Sequence, residues 1–454
     1  MDYLEALRLL RRRNDWERSG SAADASRWDL RRMRSLLSRI GDPHLGRGTV
    51  HVAGSKGKGS VAAMIAAVLP AANVSAGLYT KPHLHRFVER IAVDGEAIAP
   101  EDFGRLMAEL STQIEAEETG AQYGTVSTFE ALVALAFLYF REREAAWQVL
   151  EVGLGGRLDA TNVFDEKAVC VITPIGLEHT AILGDTVGEI AEEKAAIITP
   201  GATVVMGPQR EAAADVVRRV CAEREATLIE VAQSCAMKRT GGNREGQDFV
   251  LRTDRATYKL RLPLLGRHQL SNAATAVLSL EALAAHGVEI DEAAMRRGLA
   301  ALRWPGRIEL LRQRPLVVVD GAHSRDSARA LAQTVREELG RSEMTLVIGC
   351  SGDKDIEALA GALAPLASQV IATRSRHPRA MDPRDVADVF AARELPVATV
   401  EPVGAAVDAA LAQGDAVLVC GSLFVAAEAR EHVLGVAYDP PLTEVATVEN
   451  EVKI

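Results

Sequence analysis

Apolar runs of strand length alternate with helical periodicities from one end of this sequence to the other. The runs at 49–53, 147–152, 169–173, 316–320, 345–349, 370–373 and 416–420 are rich in Val, Ile, Leu and Ala, and helical patterns separate them. Strands apolar on successive residues are buried on both faces, and such alternation builds a parallel sheet covered by helices. The fold class expected is therefore α/β. At 454 residues the chain is too long for one ordinary core, so two domains are expected. The break falls at Arg303-Trp304-Pro305-Gly306-Arg307, where proline and glycine end a helix over Asp291–Leu302 and a strand begins near Leu316. Residues 1–303 and 304–454 are the expected domains. The stretch 439–454, with two prolines and many charges, reads as a loosely held tail.

The first strand runs directly into Gly54-Ser55-Lys56-Gly57-Lys58-Gly59-Ser60, and Val61, Met64, Ile65, Val68 and Leu69 then fall on one helical face. Three glycines let backbone amides converge on a phosphate, and the helix N-terminus adds its partial positive charge. Lys58 then reaches the outer phosphates, and Ser60 offers a hydroxyl to magnesium. The segment departs from GxxxxGK[ST], because a glycine separates Lys58 from Ser60. The alternative is a plain glycine-rich turn, but strand, loop and helix in this order favour a nucleotide site.

A formal net charge of -10 excludes a nucleic-acid-coating role, since no global positive field gathers phosphates. The five cysteines are far apart without a CxxC pair, and read as free thiols in a reducing compartment. The first residues carry no signal peptide, and no apolar stretch reaches the roughly 20 residues of a membrane helix. A cytoplasmic chain without membrane or nucleic-acid partners is expected.

Several polar residues sit where strands end. Glu151 closes an apolar strand just before Gly153-Leu154-Gly155-Gly156 and is either a solvated carboxylate or a magnesium ligand, a hard-oxygen role that favours the ligand reading. His179, in Glu178-His179-Thr180, is on its own a structural histidine or a ligand. Thr186 and Glu189 form a capping box opening a helix with Ile190, Lys194 and Ile197. Lys194 there reads as a surface lysine paired with Glu189, Glu192 or Glu193. Ser271 reads as a cap before an alanine-rich helix, and Asn272 is a capping residue or an adenine contact. Asp320 ends a strand before Gly321-Ala322-His323, where ligands of α/β sheets gather.

The loop GSKGKGS resembles that of the Mur-type ligases, and HVAGSKGKGS resembles folylpolyglutamate synthase/dihydrofolate synthase. YTKPHLHRFVERI (79–91), STFEALVALAFLYF (127–140), LEVGLGGRLDATN (150–162), IGLEHTAILGDTVGEIAEEKAAII (175–198), LPLLGRHQLSNAATA (262–276), PGRIE (305–309), DGAHS (320–324) and DKD (353–355) continue the likeness in family order. The resemblance implies an N-terminal P-loop-type ATPase domain with a mainly parallel sheet and a C-terminal Rossmann-like domain. It implies ATP bound by Gly54 to Ser60, Asn272, Arg307 on phosphate and Asp320 on the ribose side. It implies two magnesium ions held by Glu151, His179 and a Lys194 carbamylated by carbon dioxide. It also implies a pterin-bearing acceptor against Phe129, Glu130, Leu158, Asp159 and Ala160, although Phe129 on composition alone reads as core.

Three departures stand out. Lys81 occupies the place of a serine that ligates magnesium in the family, so Thr80, Ser60 or water supplies the missing oxygen, or Lys81 itself neutralises phosphate charge. Glu178 stands for an aspartate, and Ser324 for an asparagine. The expected function is an ATP-dependent ligase that adds L-glutamate to a folate, to dihydropteroate, or to both, through an acyl phosphate. Lys58, His179 and Lys194 are the expected catalytic residues, and the protein is expected to be a monomer. The rivals are a Mur-type ligase acting on a cell-wall precursor and a nucleotide-binding module without ligase chemistry.

Overall fold

The computed structural model describes residues 1–20, 28–120 and 122–440. Its first sheet contains β1 (Gly48–Ala53), β2 (Ala76–Tyr79), β3 (Ile91–Val93), β4 (Glu96–Ala97), β5 (Trp147–Glu151), β6 (Val169–Ile172), β7 (Thr203–Met206) and β8 (Thr227–Glu230), in the order β4-β3-β2-β5-β1-β6-β7-β8. From β2 to β8 all neighbours are parallel, while β3 and β4 extend the edge antiparallel. The strand order reverses beside β1, which places a ligand crevice where β1 ends.

Successive residues enter opposite cores, as a period of two demands. Val169 and Val171 pack with the helices Lys58–Ala71, Arg267–Ala282 and Glu292–Ala301, while Cys170 and Ile172 pack beneath Val187–Ala195 and Glu211–Glu223. The helix Lys58–Ala71 departs from the one-faced expectation. Ala62, Ala63 and Ala66 are buried along with its larger residues, because helices on its outer side cover the face that would have met water.

A small antiparallel sheet, order β11-β10-β9, follows with β9 (Cys235–Asn243), β10 (Gly246–Thr253) and β11 (Thr257–Leu262). Phe249, Leu251, Tyr258, Leu260 and Leu262 turn inward to the same core as the Lys58–Ala71 helix.

Beyond Trp304 a second sheet-based lobe holds β12 (Glu309–Gln313), β13 (Leu316–Val319), β14 (Met344–Ile348), β15 (Ala367–Ala372), β16 (Val397–Thr399) and β17 (Ala416–Cys420), ordered β12-β13-β17-β14-β15-β16. All but β12 run parallel. Leu418 and Cys420 face one core and Val417 and Val419 the other. The cysteines carry free thiols, four of them buried.

The tail expectation needs correction at its start. Asp439 accepts hydrogen bonds from the Tyr3 hydroxyl (2.8 Å) and the Phe87 amide (2.8 Å), and its own N–H donates to the His85 carbonyl (2.9 Å). These partners tie the segment after the helix Leu423–Leu434 back onto the first lobe; residues 441–454 lie outside the described residues.

Candidate active site

Four adjacent strands, β2, β5, β1 and β6, deliver the candidate residues at their carboxyl ends. Gly54 leaves β1 at φ +147°, and a Cβ there would fall 1.9 Å from Thr173 Oγ1, so only glycine passes this point. The amides of Ser55 and Lys56 both donate to the Pro174 carbonyl, at 2.9 and 3.1 Å, and the Ser55 hydroxyl bonds Gly176. These bonds fix the loop against the β6 side, so Ser55 shapes the turn in this structure. The helix Lys58–Ala71 opens at Gly57 without a side-chain cap, which leaves its first-turn amides, at Lys58 to Ser60, as donors for an anion.

Two ammonium groups converge on one carbonyl. Lys58 Nζ donates to Gly54 O at 3.0 Å and Lys194 Nζ at 2.9 Å. Lys194 is only 1 % exposed, which overturns the surface reading of this residue. Glu189 serves the Thr186 capping box, Glu192 meets Arg219 and Glu193 meets Arg157; Lys194 instead pairs with Glu178 at 3.1 Å. Burial lowers the Lys194 ammonium to about 8, and Lys194 with the neighbouring Lys58 and Lys56 holds the Glu178 carboxyl well below the usual range. His179 follows in the left-handed conformation, φ +50°, with its ring edge-on to Trp16 at 5.3 Å, and burial lowers it to about 3.

Glu151 lies against the same loop. Its Oε2 accepts the Lys81 N–H at 3.1 Å and stands 3.0 Å from the point a Gly59 Cβ would occupy. It is 5 % exposed, so the solvated reading fails; burial pushes its carboxyl up while Lys58 opposes the shift. Thr80 is buried beside it, and Ser60 is buried in the first helical turn.

Asn272 sits in the second turn of Arg267–Ala282, which begins at Gly266, so Ser271 is not its cap. The Asn272 Oδ1 lies 2.5 Å from the position of a Gly57 Cβ, and its Nδ2 donates to Gln269. Trp304, read from sequence only as a linker residue, brings its ring to 2.9 Å from where a Gly59 Cβ would be.

The second lobe presents its own carboxyl ends across the cleft. His323, just past β13, places Nε2 3.4 Å from Lys56 Nζ, and its Nδ1 donates to Gly321 O, which leaves Nε2 the acceptor. Asp320 accepts the amides of Ile308 and Ala322 at 2.9 and 2.8 Å, and burial raises it to about 6. Arg307 is held in the turn these bonds make, its guanidinium pKa lowered by burial with Asp320 and Glu151 opposing. Ser324 caps the helix Arg325–Leu339 together with Ser327.

A cavity of about 780 Å³ lies on the first lobe beside this site and reaches it at Lys81. Phe129, Glu130, Leu158, Asp159 and Ala160, the expected acceptor residues, all line it, as do Lys81 and Gly153. Phe129 is half-buried with its ring over Gly153, so it is a cavity wall and not simple core. Leu158 is 45 % exposed to this space. Glu130 is already engaged by Arg32 and by its own Ser127 capping box, and Asp159 by Leu154 and Thr161, so both carboxylates brace the wall. Sequence reasoning missed the opposite wall, made by Trp16, Glu17, Trp28 and Arg31. Two of the four tryptophans within thirteen residues was the available signal.

Among the described residues no three His, Cys, Asp or Glu side chains converge as a closed metal cage. The donors present suit magnesium, which retains water and phosphate oxygens and takes one or two carboxylates from protein. Glu151, buried with a single amide partner, fits that description.

A nucleotide loop in an α/β lobe, faced by the carboxyl ends of a Rossmann-like lobe, defines the Mur-ligase class. Residues 52–280 match the Mur ligase middle domain, and residues 306–423 the Mur ligase glutamate ligase domain. A dihydrofolate synthase/folylpolyglutamate synthase of Bacillus subtilis is 35 % identical over 362 residues, 79 % of this chain and 84 % of the relative. A probable bifunctional folylpolyglutamate synthase/dihydropteroate synthase of Haloferax volcanii is 40 % identical over 406 residues; the match takes 88 % of this chain but 47 % of that longer relative. The solved Mycobacterium tuberculosis folylpolyglutamate synthase complexed with ADP and AMPPCP superposes with a TM-score of 0.88 at 33 % identity, covering 96 % of this chain and 99 % of that one. The chain belongs to the folylpolyglutamate synthase/dihydrofolate synthase family of Mur ligases. No helix among the described residues is long and apolar enough to cross a membrane.

Proposed function

We propose that this chain is an ATP-dependent ligase that joins L-glutamate to the carboxylate of a folate-type acceptor, acting on both dihydropteroate and folates. The observation that carries the reading is Lys81. Its amide holds Glu151 beside the phosphate loop while its side chain lines the 780 Å³ cavity, so nucleotide and acceptor spaces meet at one residue. The names borne by the relatives support the same chemistry.

A carboxylate is a poor acyl donor, so one acceptor oxygen attacks the γ-phosphorus of ATP, ADP leaves, and an acyl phosphate forms. The amine of glutamate, having lost a proton, attacks that carbonyl, and phosphate departs with the acceptor's original oxygen. Positioning and charge neutralisation are the protein's work. The free amides at Lys58, Gly59 and Ser60 receive the triphosphate, Gly54, Ser55, Lys56 and Gly57 set the turn, and Lys58 swings from Gly54 O to the outer phosphates. Arg307 adds charge from the second lobe, Asn272 meets the base, and Asp320 orders the Arg307 turn near the ribose. Phe129 and Leu158 sandwich the pterin, and Glu130, Asp159 and Ala160 shape its pocket.

Glu151, Ser60, Thr80 and His179 would hold magnesium, which would supply charge neutralisation at the phosphates. Lys194, if carbamylated, would add a further oxygen ligand. Its lowered pKa supports this by leaving part of the amine neutral near pH 7, and an anion opposite Glu178 requires a cation between them. The chain acts as a monomer in this reading, and its free thiols are in keeping with a cytoplasmic setting.

ADP release tests the reading. It should appear only when glutamate and either dihydropteroate or a reduced folate are both present. Release indifferent to glutamate would favour a nucleotide-binding module, and release with a cell-wall precursor alone would favour the other ligase.

A further inference from the structure

Lys81 is held to the protein in two unequal ways. Its backbone is fixed, with the N–H on Glu151, at the end of β2 beside the end of β5. Its head is not. Lys81 Nζ stands 3.6 Å from Glu17 Oε1, beyond hydrogen-bond distance, and 5.9 Å from the Trp16 ring centre. Glu17 does not depend on this contact, because Arg90 grips it with two hydrogen bonds of 3.2 and 2.6 Å. Arg90 is itself buried and braced by His83 Nδ1 at 2.8 Å. The pair is therefore asymmetric: removing Lys81 from Glu17 leaves Glu17 satisfied, while Lys81 is left to find another anion. The side chain is 14 % exposed, and the surface it shows belongs to the cavity wall it shares with Phe129, Gly153 and Asp159.

We propose that Lys81 is the binding residue for the acceptor's carboxylate, its ammonium passing from Glu17 to the incoming anion and holding it beside Glu151 for phosphoryl transfer. This rests on the ligase reading above. No bond to Lys81 forms or breaks; the lysine keeps its proton throughout and exchanges one carboxylate partner for another. The rigid Glu17–Arg90 pair keeps the ammonium on the cavity side when the cavity is empty, and the Lys81–Pro82 stretch allows no slack at the backbone because Glu151 holds it. Such a residue makes affinity depend on the carboxylate and leaves the pterin end to the aromatic walls.

The test compares binding of dihydropteroate with that of its carboxamide, by quenching of tryptophan fluorescence, in the wild type, Lys81→Met and Lys81→Arg. The wild type should favour the acid by about 10- to 100-fold, as expected of a charge-assisted hydrogen bond. Lys81→Met should lose that preference while binding the carboxamide and ATP as before, and Lys81→Arg should restore most of it. A Lys81→Met protein that still prefers the acid overturns the assignment of Lys81 alone. A folded wild type that binds neither compound overturns the ligase reading and the assignment with it. Equal weakening of acid and carboxamide in Lys81→Met shows a structural role and overturns the proposal.

Discussion

Lys194 and Glu178 form a buried ion pair of 3.1 Å beneath the phosphate loop, and Lys194 reaches the loop itself through Gly54 O at 2.9 Å. Removing Lys194 takes the nearest cation from Glu178, leaving Lys56 at 3.6 Å as its remaining ion-pair partner, and opens a gap where the buried lysine stood. Lys194→Met should destabilise the fold by about 3 kcal/mol and abolish turnover, whereas the double variant Lys194→Met/Glu178→Leu should recover part of the stability but none of the activity. Urea denaturation paired with ADP release checks both halves.

Gly59 has no room for a side chain. Its Cβ would lie 2.9 Å from the Trp304 ring and 3.0 Å from Glu151 Oε2. Gly59→Ala should displace Glu151 and the linker tryptophan together, costing about 1–3 kcal/mol and lowering kcat/KM by about 100-fold or more. A variant with wild-type kinetics would show that Glu151 is not held for catalysis.

The cavity and the nucleotide loop should separate kinetically. Phe129→Ala should raise KM for the acceptor by about 10- to 100-fold with little change in KM for ATP, since the ring lines the cavity and no residue of the Gly54–Ser60 loop does. Parallel changes in both constants would place Phe129 in the core instead.

Acid should unfold this protein early. Burial lowers His179 and His323 to about 3, and His268 and His377 to about 4, against an ordinary value near 6.5. Each group therefore contributes stability present above pH 6.5 and lost as pH falls toward its folded value, because the unfolded chain takes up the proton first. Asp320, raised to about 6, acts in the opposite direction, as do Asp15, Glu151, Asp159 and Glu428, which burial also raises; His44, His51 and His83, lowered likewise, bring the histidines to seven against these five. Thermal midpoints measured from pH 7 to pH 4.5 should fall steadily; a flat profile would mean that these histidines are protonated in the fold.

Asp439 joins the end of the second lobe to Tyr3 and Phe87 of the first and its side chain is 5 % exposed. Asp439→Ala strands three donors, the Tyr3 hydroxyl, the Phe87 amide and the Arg86 guanidinium, and should cost about 2 kcal/mol. If Arg307 serves the nucleotide from the second lobe as proposed, ATP affinity should also fall severalfold while acceptor binding, confined to the first lobe, stays unchanged. Calorimetric titration with each ligand distinguishes these.

The parallel sheets were legible because Val169–Ile172 and Val417–Val419 are apolar on both faces, a pattern that few other environments satisfy. Helix ends with side-chain caps were equally plain: Thr186 with Glu189 needs no tertiary information. The antiparallel sheet 235–262 was overlooked although Tyr258, Leu260 and Leu262 alternate with Lys259 and Arg261 at strand spacing. Lys194 was misread on composition because the acids within helical reach gave it local partners; its true partner Glu178 arrives from another segment by tertiary packing. The Trp16–Glu17 wall was missed for the same reason, since nothing local reveals that it faces Leu158 across a cavity. Ser271 looked like a cap because nothing in the sequence tells that Gly266 starts the helix first.

On the proposed mechanism the acceptor's carboxylate is phosphorylated before glutamate attacks it, in a cleft where the Gly54–Ser60 loop and the Phe129 cavity meet. Dihydropteroate carrying heavy oxygen in its carboxylate, turned over with ATP and glutamate, tests this most directly by mass spectrometry of the phosphate released. One labelled oxygen per turnover should appear in inorganic phosphate. Phosphate without label, formed alongside the amide product, would contradict it.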